Sequence, residues 1–591
     1  MQLTSSRRTF VKSLAAGGAV AGLGLWQQPV WALTSPGQPT VLSGTEFDLT
    51  IDSMSVDFTG KRRTAMAING SIPGPLLRWR EGDTVTLRVR NRLPHDTSIH
   101  WHGILLPANM DGVPGFSFAG IAPDGMYEYR FKVVQSGTYW YHSHSGFQEQ
   151  LGVYGALIID PKEPDPFSYD RDYVVFLSDW TDESPARVLA KLKKRSDYYN
   201  RGRRTLGDFI NDVADKGWSE TFSDRWAWAK MNMSPTDLAD ISGATYTYLL
   251  NGKAPDGNWT GVFQTGERIR LRLINGSAMS YFDFRIPGLK LTVVAADGQN
   301  VEPVQVDEVR LAVAETLDVI VEPDGSQDAY TLFAQAMDRS GYARGTLAVR
   351  DGLQAPVPEP DPRPELTMED MGHGDHSAHG QAAAAPAQGH DAHAGHGAMD
   401  HGQMDHAAIG LGSHGAGMQA HPASETNNPL VDMQTMTPVP KLDDPGIGLR
   451  DNGRRVLTYA DLRSTFADPD GREPMRTIEL HLTGHMERFA WSFDGIPFAD
   501  AEPIRLKYGE RVRFVLVNDT MMHHPIHLHG LWSDLEDEHG NFQVRKHTID
   551  MPPGSKRSYR VTADALGRWA YHCHMLMHMD LGMFREVRVE E

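Results

Sequence analysis

Residues 82–91 read GDTVTLRVRN, and this stretch decides the fold class. Apolar and polar side chains alternate from Thr84 to Asn91, which is the pattern of a β-strand with one buried face. The pattern returns as GERIRLRLIN at 266–275 and as GERVRFVLVN at 509–518, and each copy ends on an Asn nine residues after its Gly. An internal repeat predicts repeated structural units. We therefore predict an all-β chain of three β-sandwich domains, at 45–162, 168–352 and 445–591.

Length and composition agree with this prediction and exclude several classes of protein. A chain of 591 residues is too long for one hydrophobic core, and its 57 Gly and 36 Pro favour turn-rich β structure. The 57 basic and 76 acidic side chains give a net charge of −19, which argues against a nucleic-acid or anionic-membrane partner. The single cysteine excludes a disulfide scaffold, a CxxC redox pair and a thiolate-rich zinc site.

The first 32 residues have the pattern of a twin-arginine signal peptide. Arg7 and Arg8 lie in Ser-Arg-Arg-Thr-Phe-Val-Lys, an Ala/Gly-rich run follows, and Val30-Trp31-Ala32 supplies a small-residue cleavage pattern. Such a signal exports folded, often cofactor-loaded proteins. We therefore expect segment 1–32 to be removed and the mature chain to be periplasmic, without a membrane span.

Two further segments depart from the sandwich pattern. Residues 185–241 are rich in Leu, Lys, Arg and Trp, and they predict a helical insertion in domain 2. Residues 353–444 are rich in Pro, Ala, Gly, His and Met, with ten histidines from His373 to His421. This composition predicts a linker that is disordered without metal and that can bind metal ions of its own.

Pairs of histidines follow the first and third repeats but not the second. Two His-x-His pairs begin eighteen residues after the repeat Gly: His100 and His102, and His527 and His529. Two more begin five residues after a later Gly: His142 and His144, and His572 and His574. Alternate residues of a strand point the same way, so each pair presents two imidazoles on one face. Eight imidazoles divided equally between domains 1 and 3 predict a metal cluster that bridges the two domains.

Cys573 lies between two of these histidines, so its thiolate faces the opposite side of the strand. There we expect it to meet His524, His578 and Met583. Two imidazoles, one thiolate and a weak thioether form a trigonal copper site used for electron transfer. The alternatives are a buried cysteine that acts as a small hydrophobe and a zinc site, but this donor set suits redox copper better.

The arrangement predicts a mechanism of electron transfer. An electron that arrives at Cys573 has a covalent path, through the thiolate and one residue of backbone, to the histidines on either side. Those histidines hold part of the bridging cluster. Single electrons then enter at one site and a multi-metal site collects them for dioxygen.

These four motifs resemble those of the multicopper oxidases, the family of laccases, ascorbate oxidase and bacterial copper oxidases, and the resemblance covers all three domains. It implies cupredoxin-like Greek-key β-sandwiches and four one-electron oxidations coupled to reduction of dioxygen to two waters. Within the family, the twin-arginine signal, the helical insertion and the Met/His-rich linker are similar to the periplasmic copper-resistance protein A subgroup.

The resemblance also implies a ligand set for four copper ions. Type 1 copper would be bound by His524, Cys573, His578 and Met583, type 2 copper by His100 and His527, and the type 3 pair by His102, His142, His144, His529, His572 and His574. Asp111, in Asn-Met-Asp-Gly, matches an acid that assists proton delivery in relatives, and an ordinary Asp-Gly turn is the alternative. Some bacterial relatives carry a Glu where this chain has Met579, which argues against a proton route through that position.

The substrate is a separate question. Met575, Met577 and Met579 alternate around the ligands of the cysteine site, and Met521 and Met522 precede its first histidine. Thioethers favour Cu(I), so we expect these side chains to guide Cu(I) to the site, with ordinary packing as the alternative.

Three functions remain open from the sequence. The first is a cuprous oxidase that serves copper resistance, and the others are a copper-sequestering protein and a laccase-like phenol oxidase. The expected partners are copper ions, dioxygen and periplasmic copper-handling proteins, and the chain is expected to be a monomer.

Overall fold

The computed structural model describes residues 40–373 and 418–591. Three two-sheet β-sandwiches account for most of this chain, which confirms the predicted fold class. Within these two ranges, none of the helices is long and apolar enough to cross a membrane. The predicted signal peptide at 1–32 and the central part of the predicted linker lie outside the described residues.

The first sandwich packs a five-stranded sheet, in the order β1-β4-β9-β8-β6, against a four-stranded sheet, in the order β3-β2-β5-β7. Its strands are β1 Val41–Ser43, β2 Glu46–Val56, β3 Arg63–Ile68, β4 Gly74–Arg80, β5 Thr84–Asn91, β6 His100–His102, β7 Met126–Lys132, β8 Gly137–His142 and β9 Tyr154–Asp160.

The second sandwich has a six-stranded sheet, β11-β10-β13-β18-β15-β16, and a five-stranded sheet, β12-β20-β19-β14-β17. Its strands are β10 Arg171–Thr181, β11 Tyr246–Leu250, β12 Trp259–Val262, β13 Ile269–Asn275, β14 Phe282–Arg285, β15 Leu291–Ala296, β16 Gln299–Val306, β17 Glu308–Leu311, β18 Thr316–Val321, β19 Ala329–Ala336 and β20 Tyr342–Ala348. The predicted helical insertion lies between β10 and β11, and its helices are α1 Pro185–Lys194, α2 Leu206–Lys216 and α3 Trp218–Lys230.

The third sandwich repeats the second, with sheets β22-β21-β24-β29-β26-β27 and β23-β31-β30-β25-β28. Its elements are β21 Arg476–His485, β22 Ala490–Phe493, β23 Ile504–Lys507, β24 Arg511–Asn518, β25 His524–Leu528, β26 Ser533–Glu536, β27 Phe542–Lys546, β28 Thr548–Met551, β29 Lys556–Thr562, β30 Gly567–Cys573, the short helix α4 Leu576–Asp580 and β31 Phe584–Glu590.

The three sequence repeats are the equivalent strands β5, β13 and β24. Each pairs in parallel with the first long strand of its sandwich, which is β2, β10 or β21, and antiparallel with β7, β18 or β29 on its other side. The Asn that ends each repeat is fully buried. Its side-chain amide donates to two backbone carbonyls, and its Oδ1 accepts the backbone N–H two residues later. The repeated Asn therefore holds the loop that follows each strand, and in the first and third sandwiches that loop leads to the histidines.

The prediction that all of 353–444 is disordered is wrong for the two flanks that the structure describes. Residues 353–373 and 418–444 pack on the sandwiches, where Leu366, Met371, Met433 and Leu442 are at most 5% exposed. Burial of these apolar side chains offsets the entropy cost of ordering the flanks. The Met/His-rich centre dominates the average composition and hides these few apolar anchors.

Candidate metal centre

Eight imidazoles converge between the first and third sandwiches, and we call them the histidine cluster. Its members are His100, His102, His142, His144, His527, His529, His572 and His574. Contacts cross the boundary between the two sandwiches: Nε2 of His142 lies 3.3 Å from Nε2 of His574, and Nε2 of His144 lies 3.3 Å from Nε2 of His572. The two sandwiches therefore share one cluster, as the positions of the repeats predict.

Sheet register brings the imidazoles together. Strands β6 and β8 are antiparallel with His100 opposite His142, and strands β25 and β30 set His527 opposite His572. Such cross-strand neighbours have Cβ atoms about 5 Å apart. The expectation that both members of a pair lie on one strand holds only for the pair of β6. In the other pairs the second histidine lies one or two residues beyond the end of its strand.

The cluster contains ring nitrogens that suit a metal ion. Among the described residues, His100 Nε2, His527 Nε2 and His102 Nδ1 are buried without a hydrogen-bond partner. An unpaired buried nitrogen costs free energy unless something else binds it. A set of imidazoles alone, with no carboxylate among them, fits copper, so these residues could hold it.

Burial also keeps the cluster in its metal-binding form. It lowers the pKa of six imidazoles well below the usual value, and repulsion between neighbouring rings lowers the pKa further: His102, His142, His144, His527, His529 and His574. Burial lowers the pKa of His572 to about 4. Only the neutral ring offers a lone pair to a metal ion, so the site favours metal binding at neutral pH.

Backbone carbonyls fix the orientation of three rings. The Nδ1–H groups of His100, His527 and His572 donate to the carbonyls of Asp111, His547 and Cys573 over 2.9, 2.6 and 2.9 Å. A ring that donates from Nδ1 keeps its lone pair on Nε2. In each of these rings the lone pair is therefore on the nitrogen that contacts the cluster.

Asp111 lies against the histidine cluster with its side chain 3% exposed. Its Oδ2 is 2.9 Å from Nδ1 of His529, and its Oδ1 is 3.3 Å from Nδ1 of His100. The residue follows a short 3-10 helix, as the turn interpretation expects, but its carboxylate contacts two members of the cluster instead of solvent. This geometry favours the functional interpretation.

The cysteine site, which is the group of Cys573, His524 and His578 with the predicted fourth ligand Met583, lies on the other side of β30. Cys573 Sγ is 3.6 Å from His524 Nδ1 and 3.7 Å from His578 Nδ1, and these nitrogens are 3.1 Å apart. All four residues are 0% exposed. Burial raises the pKa of the thiol well above its usual value, so a thiolate here requires a bound cation. Met583 is joined to Cys573 by a backbone hydrogen bond of 3.1 Å.

Hydrogen bonds at Nε2, the ring nitrogen away from the sulfur, hold both histidines of the cysteine site. Nε2 of His524 is 2.7 Å from the hydroxyl of Thr520, and Nε2 of His578 is 2.9 Å from Oδ2 of Asp240. The indole of Trp491 stacks on His578 with ring centroids 3.9 Å apart. Hydrogen bonds donated from Nε2 leave the Nδ1 lone pairs facing the sulfur, which is the arrangement that a metal ion needs.

Two buried acids that contact histidines of the two sites were not predicted from the sequence. Asp240 comes from the end of the predicted insertion, and its partner His578 is 338 residues away. Glu149 has its Oε2 2.6 Å from Nδ1 of His142, and burial raises the pKa of Glu149 well above the usual value. Neither acid belongs to a repeated motif, so no signal in the sequence identifies it.

His547 was also not predicted, because an isolated histidine has no partner at the His-x-His spacing. Its Nδ1 lies 3.2 Å from Nε2 of His102, and it is buried. Asp297 of the second sandwich accepts the backbone N–H groups of His547 and Thr548, each over 3.2 Å. The middle sandwich thus carries no cluster histidine, yet it supports both sites through Asp240 and Asp297.

A narrow cleft with a volume of about 10 Å³ lies between the second and third sandwiches, beside the cysteine site. Four methionines line it: Met279, Met337, Met522 and Met575. Met522 and Met575 are among the five methionines identified from the sequence. The other two come from the second sandwich and had no motif to mark them.

Comparisons with known proteins agree with this geometry. The chain matches the multicopper oxidase family over residues 50–164, 171–351 and 472–591. It is 70% identical to a "Copper resistance protein A homolog" of Pseudomonas syringae pv. tomato and 65% identical to "Copper resistance protein A" of Escherichia coli, with 100% of each chain covered.

A solved structure shows the same fold. The laccase from Botrytis aclada aligns with a TM-score of 0.59 and 21% identity, covering 95% of this chain and 89% of that one. The full-length matches and the three family regions agree. The chain belongs to the multicopper oxidase family and is a copper-dependent oxidoreductase.

Proposed function

We propose that this chain oxidises Cu(I) to Cu(II) at the cysteine site and reduces dioxygen to water at the histidine cluster. One observation carries the proposal: Cys573 faces its two histidine partners, while His572 and His574 on either side face the histidine cluster. A storage protein has no need for a strand that connects two sites in this way.

We further propose four copper ions, one at the cysteine site and three in the histidine cluster. The donors for the three are His100 and His527 for one ion and the six other imidazoles for a pair. Bound copper would supply reversible one-electron chemistry and a place for dioxygen to react. The chain's own part is to hold the ligands, exclude water and provide the path for electrons and protons.

The electron path is the backbone around Cys573. His572 and His574 are its direct neighbours, so one residue of chain separates the thiolate from the cluster on each side. The hydrogen bond of 2.9 Å from His572 Nδ1 to the Cys573 carbonyl gives a second connection. Because β30 lies between β25 and β31, this path is held rigidly in the sheet.

Asp111 is the proposed proton-handling residue. Its Oδ2 accepts a hydrogen bond from His529 and its Oδ1 has no hydrogen-bond partner among the described residues. With Oδ2 fixed on His529, the Oδ1 atom lies 3.3 Å from Nδ1 of His100 without a hydrogen bond, a position from which it can pass a proton beside the cluster. Met579 supplies no such group at the position where some relatives carry Glu.

Cu(I) is the proposed substrate because of the methionine-lined cleft. Met337 and Met279 come from the second sandwich, and Met522 and Met575 are two residues from His524 and Cys573 in the chain. Thioethers bind Cu(I) in preference to Cu(II) or Zn²⁺, so this cleft would collect Cu(I) next to the electron-entry site.

We propose a role in copper resistance in the periplasm. The names of the relatives from P. syringae and E. coli support the role, and the Arg7-Arg8 motif at the start of the sequence supports export. Oxidation would convert soft Cu(I) into Cu(II), which prefers nitrogen and oxygen ligands.

The test is oxygen uptake by the copper-loaded full chain, with stabilised Cu(I) or a simple phenol as the reductant. Met337→Leu removes one thioether from the cleft without touching a proposed copper ligand, and we expect it to slow Cu(I) oxidation severalfold while leaving phenol oxidation unchanged. Met66→Leu, a methionine of β3 in the first sandwich, is the matched control and should change neither rate.

Two outcomes would overturn the proposal. Turnover with the phenol but not with Cu(I) would identify a laccase-like enzyme. Stoichiometric Cu(I) binding with no oxygen uptake above background would identify a copper-sequestering protein. A deletion limited to 374–417 keeps the packed flanks and measures how far that segment contributes to Cu(I) oxidation.

A further inference from the structure

A second group of histidines and acids in the third sandwich shares no residue with the histidine cluster or the cysteine site. His481 belongs to β21 and Asp519 follows β24, while His421 and Glu425 lie in the flank that packs on this sandwich. Asp519 is 0%, His481 1% and Glu425 3% exposed. The side chain of His421 is 13% exposed, so the group can be reached from solvent.

Five possible ligand atoms from the four side chains converge. Nδ1 of His421 is 3.2 Å from Oε2 of Glu425 and 3.3 Å from Oδ2 of Asp519. Nδ1 of His481 is 2.6 Å from the same Asp519 oxygen and 3.5 Å from Oε1 of Glu425. Ligand atoms bound at about 2.0–2.2 Å to one ion lie roughly 3 Å from one another. Three of these separations, 3.2, 3.3 and 3.5 Å, are close to that spacing, whereas the His481–Asp519 contact of 2.6 Å is a hydrogen bond that would have to lengthen on metal binding.

The outer nitrogens of both rings are already engaged. Nε2 of His421 donates to the carbonyl of Thr435 over 3.0 Å, and Nε2 of His481 is 3.3 Å from Oε1 of Glu479. A neutral imidazole that donates from Nε2 has a lone pair on Nδ1. In the neutral rings both lone pairs would face carboxylate oxygens, so either a proton on Nδ1 or a metal ion must lie between each ring and its carboxylate.

Hydrogen bonds also orient the two carboxylates. Asp519 accepts the backbone N–H of Thr435 on Oδ1 over 2.7 Å, and Glu425 accepts the side-chain amide of Gln434 on Oε2 over 2.9 Å. Oε1 of Glu425 is buried with no hydrogen-bond partner among the described residues. Its contact with Nδ1 of His481, at 3.5 Å, is too long for a good hydrogen bond; such an oxygen on a 97% buried residue is costly, and a bound cation would remove that cost.

We propose that His421, Glu425, His481 and Asp519 bind one divalent copper ion. The donor set of two nitrogens and two oxygens contains no sulfur, so it disfavours Cu(I). Two carboxylates balance the charge of a divalent cation, and Cu²⁺ binds such ligands most tightly among the divalent ions of the first transition series. Binding of Cu(II) here requires no oxidase activity, so this proposal and the proposed function fail separately.

Protons are the alternative to a metal ion between these four side chains. Burial opposes a charge on His481, but hydrogen bonds to Asp519 and Glu479 outweigh it and raise the pKa of His481 to about 10. An ion network held by protons would keep all four side chains together without metal. The experiment must therefore detect the metal itself.

The test uses the full chain, first loaded with copper and then given Cu(II) and washed with a weak chelator. Glu425→Gln keeps the shape of the side chain and removes its charge, and His421→Gln removes the partly exposed ligand. We expect each variant to retain one copper fewer than the wild type and to bind Cu(II) at least tenfold more weakly. Oxygen uptake should stay within twofold of the wild type. The matched control is His485→Gln, which removes another histidine of β21 that lies 3.7 Å from a carboxylate.

Crystals of the wild type should show an anomalous copper peak among the four side chains, and crystals of Glu425→Gln should lack it. Unchanged copper retention in both variants, with no such peak in the wild type, would identify a proton-held ion network and overturn the proposal. Retention of Zn²⁺ in preference to Cu²⁺ under direct competition would overturn the assignment to copper. If Glu425→Gln does not fold, His421→Gln and the wild-type crystal decide the question.

Discussion

Replacement of Asp240 tests whether the second sandwich controls the cysteine site. The carboxylate of Asp240 is 1% exposed and its Oδ2 lies 2.9 Å from Nε2 of His578, which is itself 0% exposed. Asp240→Ala removes the acceptor, so the ring of His578 loses the hydrogen bond that keeps its Nδ1 lone pair on the sulfur side. Asp240→Asn keeps an acceptor oxygen and removes only the charge.

The size of the effect follows from this contact. A buried hydrogen bond to a charged group contributes about 1.5–3 kcal/mol, which corresponds to roughly 10- to 150-fold in an equilibrium constant. Loss of a group that orients a metal ligand typically costs 10- to 100-fold in affinity or activity. We therefore expect Asp240→Ala to lower copper retention at the cysteine site, or the oxidation rate, by about 10- to 100-fold, and Asp240→Asn to lower it by less than tenfold.

The assay is the visible copper–thiolate absorption per chain together with Cu(I)-driven oxygen uptake. Asp237→Asn is the matched control, because this acid is buried near Asp240 but has no hydrogen bond to His578. Burial and the charge of Asp240 raise the pKa of Asp237 well above its usual value, so its carboxyl is neutral and Asn replaces it with little change. Equal absorption and equal rates in Asp240→Ala and Asp237→Asn would refute the reasoning.

Three further predictions concern the histidine cluster. Glu149→Ala removes the acceptor 2.6 Å from His142 Nδ1 and should reduce oxygen uptake about tenfold or more. Glu149→Gln keeps an acceptor and should lose less activity. Equal rates in both variants and the wild type would contradict this prediction. His547→Ala removes the nearer of the two partners of His102 Nε2, the other being the Thr548 hydroxyl at 3.4 Å, and should reduce copper content or turnover by about 10- to 100-fold, whereas replacement of the exposed His539 with Gln should not. Copper-free protein should lose stability as the pH falls from about 6.5 towards 4, because His572 binds a proton in the unfolded chain but, with a pKa of about 4, does not in the folded protein. This one group contributes about 3 kcal/mol to the free energy of unfolding. Thermal unfolding that is unchanged between pH 7.5 and 5 would contradict the prediction.

Sequence reasoning predicted the central strands well. The structure gives strands Thr84–Asn91 and Arg511–Asn518 the predicted limits. The expectation of one buried face holds better for Thr84–Asn91, which keeps exposed positions, than for Arg511–Asn518, where every residue except Arg513 is buried. The sequence shows that each repeat ends on an Asn, but it does not show which groups the Asn side chain hydrogen-bonds. Only the fold reveals that Asn91 holds the loop leading to His100 through three hydrogen bonds.

The site was predictable where ligands occur in pairs and not where single residues support them. His-x-His spacing comes from strand geometry, so it can be recognised in the chain. Asp240, Glu149 and His547 contact their histidines through tertiary packing, and an isolated acid or histidine has no spacing to identify it. The edges of the predicted linker failed for a similar reason, since a few buried side chains such as Met371 outweigh a polar average composition.

The most direct test of the account is the ratio of Cu(I) oxidised to dioxygen consumed by the copper-loaded full chain. The account predicts four Cu(I) for each dioxygen, no released hydrogen peroxide, and loss of this activity in Cys573→Ser while the copper ions of the histidine cluster remain. Unchanged Cu(I)-driven oxygen uptake in Cys573→Ser, or a ratio of two with peroxide as the product, would contradict the proposed path from the cysteine site to the histidine cluster.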